Sequence, residues 1–336
     1  MKETEKEPGE FPPCGYGVLG LCCQACLLGP CRLTPFGEDS ERGRCGDDRD
    51  RIVARNLLRL AILEAIRSMK DLKEAILRNT PSSHSASLVE ESKNLLSPLP
   101  GKTNPILSSL YPEKVFPSIH QIFWEGGRED GFLSKSLSSL LLDSADIGQD
   151  GSSGVEEILN RCLQISVLGL TSDELQSSLV RFDGGRQPEE NPELSEALDR
   201  LPSIPCPIII ELSEGDAPYP MMEERLKRLE GATAVLSITK RHALAEIGRR
   251  LAKKWTLSIA GLRTVVLISS ERVTSTLGAL ALGFSAASFP PLPIHGSDRA
   301  EAFFFTNFER RTGNRYLPSW QQELDSMIME RLKGKG

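Results

Sequence analysis

Six of the eight cysteines in this 336-residue chain fall between Cys14 and Cys45, in the pattern C-x7-C-C-x2-C-x4-C-x13-C. Soft thiolate ligands at such spacing suit iron–sulfur clusters or zinc. Cys23, Cys26, Cys31 and Cys45 form one complete set of four that begins with a C-x2-C. Cys14 and Cys22 remain. Two thiolates cannot hold a four-ligand cubane, but two copies of the chain, each giving this pair, could hold one on a twofold axis. Adjacent Cys22 and Cys23 point in different directions, so each can serve a different cluster. Gly15, Gly17, Gly20 and the Gly29-Pro30 pair are expected to bring backbone amides close to inorganic sulfides, where hydrogen bonds tune the potential.

Two other readings of the same cysteines stay open. A disulfide framework would need an oxidising compartment. A structural zinc site at Cys23, Cys26, Cys31 and Cys45 fits the spacing but leaves Cys14 and Cys22 without a role. Cys162 lies in an apolar helical stretch and Cys206 between two prolines, so both read as packing residues rather than ligands. The four histidines are His84, His120, His242 and His295; His84 and His120 carry no local motif. His295 sits in a Pro/Gly loop that could line a cleft at a sheet edge.

The cysteine-rich stretch has no long apolar period and needs an internal staple to be ordered. The elements behind it must supply the scaffold. Ile52, Val53, Leu57, Leu60, Leu63 and Ile66 recur mostly at three- and four-residue steps, which predicts an amphipathic helix from about Asp50 to Leu77, capped by Asp47, Asp48 or Asp50. Pro81 stops it. A short helix is expected at 87–96 and a broken helical region at 118–142, with its break near Gly126-Gly127. A long helix is expected at 155–179, interrupted near Gly169.

The charged segment 182–192 reads as a domain boundary. Beyond it, strands are expected at 207–212, 232–238, 264–269 and 285–288. They alternate with helices at 221–229, 243–255 and 272–282, and further helices close the chain at 299–311 and 320–332. That alternation predicts a parallel sheet covered on both faces. The fold class is therefore α/β: a mainly helical cluster-binding part followed by a Rossmann-like parallel domain. The division expected is 1–48 for the cluster segment, 49–190 for the helical domain and 191–336 for the α/β domain.

Composition excludes several functions. With 40 basic and 46 acidic residues the formal net charge is −6, which gives no electrostatic reason to bind nucleic acid or an anionic membrane. No apolar run is long enough to span a bilayer and the charged N-terminus does not read as a signal peptide, so a cytoplasmic protein is expected. No G-x-G-x-x-G and no G-x-x-x-x-G-K-[ST] is present, and no nucleophile–base pair stands out.

The stretch from Cys14-Gly-Tyr-Gly through Cys22-Cys23-Gln-Ala-Cys26-Leu-Leu-Gly-Pro-Cys31-Arg32 resembles the N-terminal region of anaerobic nickel-dependent carbon monoxide dehydrogenases. Arg44-Cys45-Gly46 and Ile52-Val-Ala-Arg-Asn56 extend the likeness, and Gly283-Phe284 with Pro290-Pro-Leu-Pro-Ile-His-Gly-Ser297 resembles the end of that family's last α/β domain. The resemblance implies that Cys14 and Cys22 bind a [4Fe–4S] cluster shared across a homodimer. It implies that Cys23, Cys26, Cys31 and Cys45 bind a second cubane within each subunit. The family's nickel–iron–sulfur site needs a histidine and several further cysteines, and only Cys162 and Cys206 remain here. The chain is also roughly half the family's usual length, as if one α/β domain were missing. The reading that follows is an iron–sulfur electron-transfer subunit without nickel, working with a ferredoxin, a flavoprotein or a larger enzyme complex. The alternatives are a catalytic carbon monoxide dehydrogenase (CO + H2O to CO2) with an atypical or partner-completed nickel site, using Cys162, Cys206 or His295, and a zinc-stabilised scaffold.

Overall fold

The computed structural model describes residues 14–24, 27, 29–36, 41–78, 86–97, 105–123, 136–149, 153–183, 192–201, 208–213, 234–241, 243–262, 264–270 and 272–318. A short helix α1 (Gly15–Val18) follows Cys14. Strands β1 (Cys22–Cys23) and β2 (Cys31–Arg32) pair antiparallel, with Cys23 opposite Cys31 and Cys22 opposite Arg32.

The apolar period after Asp48 becomes the long helix α2 (Arg49–Arg78), whose inner face buries Ile52, Val53, Leu57, Ala61, Ala65 and Leu72. Of the three aspartates that could cap it, Asp48 does so: its Oδ1 accepts from the Arg51 amide at 2.9 Å. Helices α3 (Ala86–Leu96), α4 (Pro105–Leu110), α5 (Pro117–Phe123) and α6 (Leu137–Gln149) follow, then α7 (Val155–Asp183). The expected break at Gly126-Gly127 lies outside the described residues.

The expected interruption at Gly169 does not occur. Helix α7 continues through Gly169, which faces Ala65 of α2 at ordinary contact distance (3.9 Å from the place a Cβ would take) within an all-buried stretch. Ser172 Oγ donates to the Ser68 carbonyl across the same contact (2.9 Å). From Arg161 to Ser172 every α7 residue is buried, as befits a helix surrounded by others.

After α8 (Pro192–Asp199) come β3 (Ile208–Ser213), β4 (Ala234–Ile238), α9 (Ala243–Trp255), β5 (Thr264–Ser269), α10 (Val273–Leu282) and β6 (Ser285–Phe289). The sheet order is β4-β3-β5-β6 and every pairing is parallel, with Ile210 between Leu236 and Val266. Ile208, Ile210, Leu212, Val266 and Ile268 join the same buried cluster as the helices, so one sheet face rests on the helical part. Helix α10 packs against α7 and ends at Gly283, which takes the left-handed conformation (φ +99°).

The helix expected at 299–311 is present as one continuous helical run with a π turn inside it: α11 (Asp298–Ala302), the π turn (Phe303–Asn307) and α12 (Phe308–Thr312). The extra residue in the π turn lets Phe303 and Phe304 be buried together, with Phe308 beyond them. The helices expected at 221–229 and 320–332 lie outside the described residues. Among the described residues no helix is long and apolar enough to cross a membrane.

Candidate metal centre

The cysteine segment has no core of its own and is held by two supports. The first is the loop after β6. Gly20 has φ +76°, and a Cβ there would lie 2.2 Å from the Pro293 carbonyl oxygen. The Gly296 amide donates to the Leu19 carbonyl at 2.9 Å, and Leu21 is fully buried. Gly20 thus serves a close backbone approach; it was expected to offer its amide to a sulfide, but that amide bonds the Gly17 carbonyl (3.1 Å).

The second support is α2. Asn56 Nδ2 donates to the carbonyls of Gly20 (2.7 Å) and Cys22 (3.0 Å). Arg51 Nε pairs with Asp47 Oδ1 at 3.0 Å, and Arg55 Nη1 pairs with Asp47 Oδ2. Asp47 in turn accepts from Cys45 Sγ at 3.3 Å.

Of the four cysteines expected to form one set, two meet on the ribbon and the turn that carries a third lies beside them. Cys23 and Cys31 are buried and face each other in register. The turn carrying Cys45 lies alongside, where the Arg44 amide donates to Cys31 Sγ at 3.4 Å and a Cβ at Gly43 would be 3.7 Å from the Cys31 Cβ. Cys26 lies outside the described residues. Thiolates are the donors a cubane takes, and Cys23, Cys31 and Cys45 would supply three of them here. Among the described residues no three His, Cys, Asp or Glu side chains converge on one point.

Cys22 is half-buried and Cys14 is exposed. The backbone amides of Gly17 and Tyr16 hold the Cys14 thiol below its ordinary pKa, aided by nearby Arg32. Arg32 also lies over the Tyr16 ring, 6.0 Å from its centroid. Cys14 opens onto an apolar groove of about 620 Å³, which it lines with Val18, Leu60, Arg272, Phe289 and Pro293.

The other candidates are scattered. Cys162 is fully buried in α7, its Sγ 3.2 Å from the Ile158 carbonyl, and burial raises its pKa, so the packing reading holds. His120 Nε2 is 3.2 Å from the Tyr111 carbonyl. His295 Nδ1 is 2.8 Å from Glu301 Oε1 in the loop that leads into α11. Cys206, His84 and His242 lie outside the described residues. Sequence reasoning missed Asp47 as more than a cap, and took Arg55 and Asn56 only as part of the Ile52-Val-Ala-Arg-Asn56 likeness, without a role. A further signal was that these polar residues are interleaved with the apolar face of α2.

Comparison with known proteins gives the following. The model of the Prismane/CO dehydrogenase family matches residues 21–94. Carbon monoxide dehydrogenase 1 of Methanosarcina mazei is 47% identical over 68 residues, covering 20% of this chain and 11% of that protein. The carbon monoxide dehydrogenase of Rhodospirillum rubrum is 61% identical over 49 residues, 15% of this chain and 8% of that one. The solved carbon monoxide dehydrogenase IV from Carboxydothermus hydrogenoformans aligns with 91% of this chain and 57% of its own, at 16% identity and a TM-score of 0.41. The chain thus matches about a tenth of the length of these curated relatives.

Proposed function

We propose, from the premise that residues 21–94 belong to the Prismane/CO dehydrogenase family, that the chain is an iron–sulfur electron-transfer subunit of an oxidoreductase. Cys23, Cys26, Cys31 and Cys45 hold a [4Fe–4S] cluster within the subunit. Cys14 and Cys22, with the same pair of a second copy, hold another across a homodimer. The clusters supply one-electron redox chemistry. The segment 1–48 carries them, 49–190 is the helical scaffold and 191–336 the α/β part. The redox partner is a ferredoxin, a flavoprotein or a larger enzyme complex in the cytoplasm.

The observation that carries this reading is the split of the thiols into two groups. Cys23 and Cys31 are buried opposite each other on the ribbon with the Cys45 turn alongside, while Cys14 stands exposed on an apolar groove. An exposed Cys14 beside exposed Val18, Leu60 and Phe289 is suited to burial against a second chain. The Arg44 amide directed at Cys31 Sγ would stabilise extra negative charge on that sulfur and so favour reduction. The proposal includes no nickel; Cys162, one of the two cysteines beyond the cluster segment, is buried and bonded within α7. The name shared by the relatives keeps a catalytic carbon monoxide dehydrogenase as the second reading, its nickel site then completed by another subunit.

Anaerobic purification and measurement of iron, sulfide, nickel and zinc per chain tests the proposal. One cluster per chain and one shared give about six iron and six sulfide per chain, without nickel. Zinc without sulfide would leave a zinc scaffold. Stoichiometric nickel with carbon monoxide-dependent dye reduction would establish the catalytic reading instead.

A further inference from the structure

We infer that Arg55 and Asn56, neighbours on the second turn of α2, are positioning residues for different clusters: Asn56 places the bridging ligand Cys22, and Arg55, through Asp47, places Cys45. The inference rests on the cluster reading above.

Successive helix residues point about 100° apart, so this pair reaches two different segments. The Asn56 carboxamide has two N–H donors, and its nitrogen lies within hydrogen-bond distance of the Gly20 (2.7 Å) and Cys22 (3.0 Å) carbonyls. The Cys22 carbonyl belongs to the rigid peptide plane that joins Cys22 to Cys23. Neighbouring strand residues face opposite sides, so fixing that plane sends one thiol outward and the other inward. Cys23 has independent support from burial and from its pairing with Cys31. Half-buried Cys22 depends more on the clamp.

Arg55 reaches the other way. Its side chain and that of Asp47 are 15% and 10% exposed, so the ion pair is largely shielded from water. Asp47 closes the Cys45 turn with its backbone as well: its carbonyl accepts from the Gly43 amide at 2.8 Å, and Gly46, at φ +87°, donates to the Gly43 carbonyl at 2.9 Å. Cys45 is itself exposed and has no packing of its own to hold it. The place of that thiol is therefore set by an aspartate that two arginines of α2, Arg51 and Arg55, hold from the far side. Outer residues that orient ligands in this way typically change metal affinity roughly 10–100-fold when replaced.

The test uses full-length protein purified anaerobically with its clusters. Its readouts are iron per chain, iron release to a chelator, the midpoint potential of each cluster by electron paramagnetic resonance, and the melting curve. Asn56→Asp keeps the shape and removes both donors. It is expected to lose the bridging signal first, with iron falling from about six toward four per chain. Arg55→Gln is expected to release iron from the intrasubunit cluster roughly 10–100-fold faster and to shift that cluster's potential, and Arg55→Lys restores part of the effect. Should Asn56→Asp fail to fold, Asn56→Ser, which keeps one donor, carries the same comparison. Unmoved potentials and iron release in variants that melt like the parent overturn the inference. So does equal loss of both clusters in both variants, which would be a general folding effect. A parent protein without iron and sulfide would instead defeat the cluster reading, and is measured before any variant.

Discussion

Glu64 on α2 holds Thr274 at the start of α10: its carboxylate accepts from the Thr274 amide (2.8 Å) and hydroxyl (2.7 Å), and from the Val273 amide (3.0 Å). Helix α10 follows β5, and the chain reverses its winding direction between β3 and β5. In doubly wound sheets the crevice at that point takes ligands, with anions on the helix N-terminus. Here a side chain of the protein already fills that terminus. Inorganic phosphate and ADP are therefore expected not to bind at α10, and saturable binding by equilibrium dialysis that responds to Glu64→Gln would contradict this. Removing the carboxylate by Glu64→Ala is expected to cost about 2 kcal/mol in denaturant unfolding, because charge-assisted bonds to α10 are lost.

Gly20 makes a close backbone approach between the cysteine segment and the loop after β6. Its positive φ and the Pro293 oxygen 2.2 Å from any added Cβ act together. Gly20→Ala should destabilise by roughly 2–4 kcal/mol, combining backbone strain with overpacking. Limited proteolysis should then cut within the cysteine segment while α2 and the sheet stay protected. An unchanged digestion pattern would mean that the loop at Pro293 yields without cost.

The parts of this fold that were legible in the sequence are those with a strong period. Ile52 to Ile66 marked α2, and the β-branched runs marked β3 and β5 to within a residue. Gly169 misled because one glycine costs a helix only about 0.5–1 kcal/mol, which the burial of every α7 residue from Arg161 to Ser172 outweighs. The π turn at Phe303–Asn307 was equally hidden, since it answers to the burial of two adjacent phenylalanines rather than to any turn residue. At the site, cysteine spacing separated ligands from packing thiols. It could not reveal Asp47, Arg55 or Asn56, whose roles exist only once α2 lies beside the ribbon.

The thiols differ in how they meet pH. In iron-free protein Cys14 is exposed and its pKa is lowered by the amides of Gly17 and Tyr16, so its alkylation rate should reach half-maximum at a lower pH than an unstructured thiol does. Cys162 should resist alkylation until the protein unfolds, because burial pushes its thiol up. Burial likewise raises Tyr111. A group with a raised folded pKa contributes stability that is intact below its unfolded value and erodes as pH climbs toward the folded one. Unfolding midpoints should thus decline above about pH 9, the ordinary thiol value. Mass spectrometry of alkylated peptides and melts from pH 7 to 11 check both halves; early labelling of Cys162 would contradict the α7 packing.

Changing Cys14 and Cys22 together to serine tests the proposed shared cluster directly. Neither residue contributes to the set formed by Cys23, Cys31 and Cys45, and Cys14 is exposed, so the fold of one chain should survive with its melting curve little changed. Iron should fall by about two atoms per chain, because each copy forfeits half of one cubane. Sedimentation should shift toward monomer, since the groove around Leu60 and Phe289 would lose the covalent bridge that fixes two copies in register. The intrasubunit potential should hold, because the Arg44 amide still faces Cys31 Sγ. A double variant that keeps the parent's iron content and stays dimeric would show that these two thiols do not share a cluster.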